Sequence, residues 1–188
     1  MFDDYNDHPG QAESAPLQYP WKDEAGFALA CSALVNRIAA VLLEKGLHAA
    51  AAESLTGGLI SSEIVRVAGS SRWFAEGCVT YTDAAKAARL GVDKAVLAQH
   101  TAVSMPVAMQ MAEGMMRTSG TDIAVSATGL AGPGPDEFGR EAGLVFIGGA
   151  NKNGSVGRRL SLSGDRLTIR QRAAYCALRL LLSLAEAE

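Results

Sequence analysis

Gly46-Leu-His-Ala-Ala-Ala-Ala-Glu-Ser-Leu-Thr-Gly-Gly58 is the stretch that decides the fold. Its first half is short and apolar enough for a buried strand. Gly57 and Gly58 then permit a tight turn, after which Leu59, Ile64, Val65 and Val67 recur at helical spacing. A hydroxyl between a strand end and a helix start lies where open α/β sheets take ligands, close to unpaired helix N–H groups. Ser54 is such a hydroxyl. Two readings stand side by side: Ser54 or Thr56 caps the helix, as serine and threonine commonly do, or Ser54 is a nucleophile.

A second segment bears on that choice. Cys78-Val-Thr-Tyr81 reads as a short strand, and Asp83 is a good N-cap for a helix over 84–90. Counted from that cap, Lys86 is the third helical residue, where an ammonium faces the positive end of the helix dipole. Burial pushes the same way, so the charged form is disfavoured and the lysine becomes a usable general base. Tyr81, near the strand end, is placed to orient Lys86 or relay a proton between it and Ser54. Taken singly, each residue also fits a plain structural role, a solvated helix lysine and a packing tyrosine.

Farther out, a helix is expected from about Asp23 to Lys45, closed by Gly46. Strand 47–52, helix 57–67, strand 78–82, helix 83–90 and a helix over 106–118 follow. Strand 122–126 feeds a glycine-rich loop, 129–139, whose backbone N–H groups suit an anion. Strands 143–149 and 156–162, joined by Asn151-Lys-Asn-Gly154, read as a hairpin, and Asp165 caps a final helix, 166–185. This alternation predicts an α/β sandwich with a mixed sheet. The methionines Met105, Met109, Met111, Met115 and Met116 read as core filling.

The chain has 188 residues and a net charge of −3, so no basic field favours nucleic acid or an anionic membrane. Residues 1–21 are acidic and turn-rich and lack the features of a signal peptide; they read as a flexible tail anchored through Tyr19 and Trp21, with one domain over 22–188. The run at Leu180-Leu-Leu is too short to span a bilayer. Cys31, Cys78 and Cys176 are scattered and read as reduced residues of a cytoplasmic protein. The three histidines are equally scattered, so neither a metal nor another cofactor is expected.

Ala52-Glu-Ser-Leu-Thr-Gly-Gly58, Ala68-Gly-Ser-Ser71, Gly77-Cys-Val-Thr-Tyr81, Ala85-Lys86, Leu90-Gly-Val92, Ala102-Val-Ser104, Ala127-Thr-Gly-Leu-Ala-Gly-Pro133 and Ser163-Gly-Asp-Arg166 occur in this order. In that order they resemble the CinA C-terminal domain family, whose enzymatic members are nicotinamide-nucleotide amidohydrolases. The resemblance covers residues 25–185. It implies a three-layer α/β/α sandwich with a mixed, mostly parallel sheet, and hydrolysis of nicotinamide mononucleotide to nicotinate mononucleotide and ammonia. It also implies Ser54 as nucleophile with Tyr81 and Lys86 as its activating partners, a small nucleotide as substrate, and a homo-oligomer.

The oxyanion is expected on backbone N–H groups at Gly57 and Gly58. Thr56, Gly57, Gly58, Gly129, Gly132 and Arg140 are the expected substrate contacts, Arg140 as a candidate phosphate cation. Three departures from the family pattern stand out: Leu55 for a frequent Cys, Met105 for a usual Glu, and Arg140-Glu-Ala-Gly143 for Lys-Pro-Val-Gly. The last two bear on loop shape and substrate preference. They keep two rivals open, a non-catalytic ligand-binding or regulatory domain and an amidase for another small substrate.

Overall fold

Four alanines form the heart of the sheet. Strand β1 (Ala49–Glu53) is buried at every residue, with Ala49 and Ala51 in one apolar cluster and Ala50 and Ala52 in another. Alanine is a weak strand former, so context decides here: a small side chain on each face lets helices approach both sides of the sheet. The computed structural model describes residues 19–188, and the acidic stretch before Tyr19 lies outside the described residues.

The elements in chain order are α1 (Glu24–Lys45), β1, α2 (Leu59–Val65), a 3₁₀ turn (Ser70–Arg72), β2 (Phe74–Val79), α3 (Asp83–Leu90) and α4 (Lys94–His100). Then come α5 (Met105–Ser119), β3 (Ile123–Gly129), β4 (Leu144–Asn151), β5 (Gly154–Ser161) and α6 (Arg166–Ala187). The sheet order is β2-β1-β3-β4-β5, with β1 parallel to both neighbours and the β3–β4 and β4–β5 pairs antiparallel. Only β4 therefore runs against the other four strands. The Asn151–Gly154 hairpin closes as expected, with those two residues paired. Asp165 caps α6 by accepting a hydrogen bond from the Thr168 N–H, 2.8 Å.

Helices α1, α2 and α6 cover one face, around Ile38, Leu42, Ile60, Val125 and Leu181. Helices α3, α4 and α5 cover the other, around Leu90, Val107, Met111 and Met115. This is the three-layer α/β/α arrangement. Helix α1 is long and apolar enough to cross a membrane by length and composition, and here Phe27, Cys31, Val35 and Leu42 on its inner side are buried in the core. Tyr19 and Trp21 pack with Phe27 and Tyr175, with Trp21 and Tyr175 ring centroids 4.8 Å apart.

Three expectations shift. Strand β2 occupies 74–79 rather than 78–82, because pairing with β1 begins at Phe74 opposite Ala49. Helix α2 starts at Leu59, since Gly57 and Gly58 take φ of 61° and 93° in the turn before it. Helix α4 was not anticipated; Asp93 caps it by accepting from the Ala95 N–H at 2.7 Å.

The layer behind the site is tightly closed. A Cβ added at Gly114 of α5 would lie 2.0 Å from the Leu90 carbonyl oxygen at the end of α3. Gly114→Ala gains about 1 kcal/mol of helix propensity, yet the clash costs about 1–3 kcal/mol and forces α3 away. We expect a net drop in Tm by calorimetry; an unchanged or raised Tm would mean that α3 moves freely.

Candidate active site

A buried carboxylate shapes the turn that presents Ser54. Glu53, the last residue of β1, is fully buried. Its Oε2 accepts from the N–H groups of Gly58 and Ile60 at 2.9 and 3.1 Å. Its Oε1 accepts from the Ser61 N–H at 2.9 Å and the Ser61 hydroxyl at 2.7 Å. The first turn of α2 is thus capped from the strand that precedes it, satisfying N–H groups that would otherwise lack partners. Across the turn, Arg170 of α6 donates to the carbonyls of Leu55 and Thr56 at 3.0 and 2.7 Å. Neither Ser54 nor Thr56 caps α2.

The expected oxyanion donors are already engaged: Gly57 N–H donates to the Ser54 carbonyl and Gly58 N–H to Glu53. Among the described residues, the N–H groups of Leu55 and Thr56 have no acceptor within the protein.

Lys86 reaches Ser54 directly. Its Nζ lies 3.1 Å from Ser54 Oγ and donates to the Thr80 carbonyl at 3.0 Å. The side chain is 1% exposed, and Ser54 is 8% exposed. Burial lowers the lysine pKa below its ordinary value, and the Asp83 carboxylate partly opposes this. The helix begins one residue earlier than the sequence indicated. Thr82 is the cap, accepting from the Ala85 N–H at 3.1 Å, so Asp83 is the first helical residue and Lys86 the fourth. Desolvation, rather than the helix terminus, is the leading cause of the shift.

Tyr81 does not sit between the pair. Its ring is 62% exposed at the cavity mouth, and its hydroxyl accepts from Arg166 Nη2 at 3.3 Å. No hydrogen bond joins it to Ser54 or Lys86 among the described residues.

Ser54 and Lys86 form part of the wall of a 320 Å³ open cavity. Leu55, Tyr81, Ala102, Val103, the stretch 128–136 and Arg166 complete it, so Gly129 and Gly132 do face the space. Thr56, Gly57, Gly58 and Arg140 do not line it. Thr56 is fully buried in the turn, and the two glycines shape it. Arg140 is occupied elsewhere, bonded to Asp136, Thr101 and Val103.

The cation that faces the cavity is Arg166, whose Nη1 donates to the Gly132 carbonyl at 2.6 Å. Sequence reasoning assigned Arg166 no role, although it directly follows the Asp165 cap, a position that aims a first-turn side chain at the sheet's loop edge. One other titratable group, Cys31, is structural. Burial, reinforced by Glu63, pushes the Cys31 thiol up to about 12, too high for a nucleophile. Among the described residues no three His, Cys, Asp or Glu side chains gather where a metal would bind.

Comparison with known proteins agrees with this architecture. The family model "CinA C-terminal domain" matches residues 31–185. The nicotinamide-nucleotide amidohydrolase PncC of Enterobacter agglomerans is 44% identical over 142 residues, covering 75% of this chain and 87% of the relative. A putative competence-damage inducible protein of Clostridium acetobutylicum is 44% identical over 141 residues, but the match spans only 34% of that longer protein. The chain corresponds to 34–40% of the length of most such curated relatives. Among solved structures, competence damage-inducible protein A of Klebsiella pneumoniae superposes with a TM-score of 0.81 at 31% identity, over 84% of this chain and 99% of that one. CihA of Agrobacterium tumefaciens gives 0.79 at 36% identity, over 82% and 95%.

The buried lysine has a thermodynamic signature. Between its lowered folded value and the ordinary 10.5, the folded state binds fewer protons than the unfolded chain, so stability rises with pH through that window. Lys86→Met removes the penalty. Its Tm relative to wild type should therefore be most favourable near pH 7 and decline towards about pH 10. A difference that stays constant with pH would show that the lysine titrates normally.

Proposed function

The chain belongs to the CinA C-terminal domain family, and from that premise we propose that it hydrolyses the carboxamide of nicotinamide mononucleotide to nicotinate mononucleotide and ammonia. The observation that carries this reading is the 3.1 Å contact between Lys86 Nζ and Ser54 Oγ, made by a lysine with no carboxylate bonded to it among the described residues. Neutral Lys86 gives one hydrogen to the Thr80 carbonyl and turns its lone pair to the Ser54 hydroxyl. Ser54 Oγ bonds to the carboxamide carbon as its proton passes to Nζ.

The tetrahedral oxyanion is received by the unpaired N–H group of Leu55, a residue that lines the cavity. Collapse breaks the carbon–nitrogen bond, and ammonia leaves with the proton that Lys86 returns. Water then attacks the acyl carbon, gives its proton to Lys86, and frees the nicotinate product and the Ser54 hydroxyl. Arg166, which keeps donors beyond its bonds to Gly132 and Tyr81, is the anion partner for the phosphate. The exposed Tyr81 ring offers a face to the cationic pyridinium. Free thiols at Cys31 and Cys78 suit a cytoplasmic setting. Family membership also favours a homo-oligomer, which light scattering on the purified chain would read.

Ammonia release from purified protein tests the reading, with nicotinamide mononucleotide, free nicotinamide and NAD as substrates. Release is expected from the mononucleotide, and none from any of the three would favour a binding domain. Ser54→Ala should abolish turnover while the fold persists. Lys86→Arg, which cannot give up its proton near neutral pH, should lose about 10²–10⁴-fold, as Lys86→Ala does. Near-wild-type release by Ser54→Ala would remove the nucleophile, and substantial activity in Lys86→Arg would remove the general base.

A further inference from the structure

Thr101 has φ 64° and ψ 166°, a backbone region that is essentially reserved for glycine and is hard for a β-branched residue. It is the only non-glycine residue with positive φ among the described residues. Such an outlier persists only when its surroundings over-determine it, and here Arg140 supplies much of that determination. Its Nη1 donates to Thr101 Oγ1 at 2.8 Å and to the Val103 carbonyl at 3.1 Å. On its other side Nε and Nη2 reach Asp136 Oδ2 at 2.8 and 2.6 Å, and the Arg140 N–H donates to Asp136 Oδ1 at 2.8 Å.

The arginine therefore joins two chain segments, and both line the cavity: Ala102 and Val103 follow Thr101, and Asp136 ends the glycine-rich stretch. A planar guanidinium can serve all three partners at once, and an ammonium cannot.

We infer that Arg140 is a positioning residue, a staple that fixes the shape of the substrate cavity by holding Thr101 in its strained backbone conformation and tying it to Asp136. The inference rests on the amidase reading for its substrate. Its action is on binding: without the guanidinium Thr101 relaxes, Ala102 and Val103 move out of the wall, and the Thr128 hydroxyl loses its 2.7 Å bond to the Ala102 carbonyl. Ser54 and Lys86 are held independently, by Glu53, Arg170 and Thr80, so the chemical step keeps its groups.

The test is kcat and KM on nicotinamide mononucleotide for wild type, Arg140→Lys, Arg140→Ala and the double variant Arg140→Ala with Thr101→Gly. Arg140→Ala should raise KM about tenfold or more with kcat within a few-fold, the split expected when substrate positioning is lost and the reacting groups are kept. Arg140→Lys should stay close to Arg140→Ala. Thr101→Gly in the Arg140→Ala background should bring KM back towards wild type, because glycine adopts that backbone region without help. A wild-type KM in Arg140→Lys, or a double variant no better than Arg140→Ala, overturns the staple.

Should Arg140→Ala not fold, Asp136→Asn loosens the anchor while keeping the arginine and should show the same KM rise in milder form; an unchanged KM there also overturns it. If the wild type releases no ammonia, the amidase reading fails on its own. Amide hydrogen exchange over 101–104 then decides: faster exchange in Arg140→Ala supports the staple, and identical exchange overturns it.

Discussion

Everything at this site depends on a carboxylate that has no counter-ion. A buried charge is expensive unless hydrogen bonds replace its lost water, and Glu53 is fully buried with no ion pair among the described residues. Four donors, all from the first residues of α2 and the turn before it, meet its two oxygens. That requirement sets the geometry of the turn. The chain must double back within five residues so that Gly58 can face Glu53, and only left-handed glycines at 57 and 58 allow it. Ser54, adjacent to Glu53, is thereby held at the rim of the sheet.

The same carboxylate explains what Lys86 lacks. A glutamate one residue from the serine would be an obvious partner for a buried ammonium, and such a pair would hold the lysine charged. Because α2 and its preceding turn occupy both oxygens of that carboxylate, Lys86 is bonded to a hydroxyl and a carbonyl, and burial lowers its pKa against partial opposition from Asp83. The strain at Thr101 belongs to the same pattern, a cost of about 1–3 kcal/mol carried beside the cavity. Two unfavourable terms, a buried lysine and a strained threonine, thus lie at or beside the cavity, where a maximally stable protein would have neither.

Local signals were readable where their cause is local. Gly46 after α1, Asp165 before α6 and the Asn151–Gly154 turn act through their own neighbours, and each stands where the sequence indicated. Ser54 and Lys86 were also readable as a pair, from a strand end and a helix start. Strand β2 was misread at its start because Glu76 and Gly77 lie on an exposed sheet edge, where no apolar alternation is needed. The roles of Glu53, Arg140 and Tyr81 were not legible for another reason. An arginine spanning 39 residues to Thr101 and a tyrosine bonded 85 residues away are facts of tertiary approach, and the Glu53 contacts, only five to eight residues away, exist only once the turn has folded back. Spacing along the chain carries none of them.

Arginine is the residue that makes those approaches hold. Arg117, Arg140, Arg166, Arg170 and Arg172 each donate to a backbone carbonyl in a loop or at a helix end: Leu90, Val103, Gly132, Leu55 with Thr56, and Ser163. Loops rich in glycine have little side-chain packing to define them, and their carbonyls still need donors. A guanidinium supplies several at fixed angles and never loses its charge, so one side chain can fix two strands of loop at once. Lysine meets neither condition, and burial pushes the pKa of the buried Lys86 the other way, towards the uncharged form. The division follows from chemistry: groups that must keep their protons define the cavity walls, and the group proposed to give and take one is kept dry at its floor.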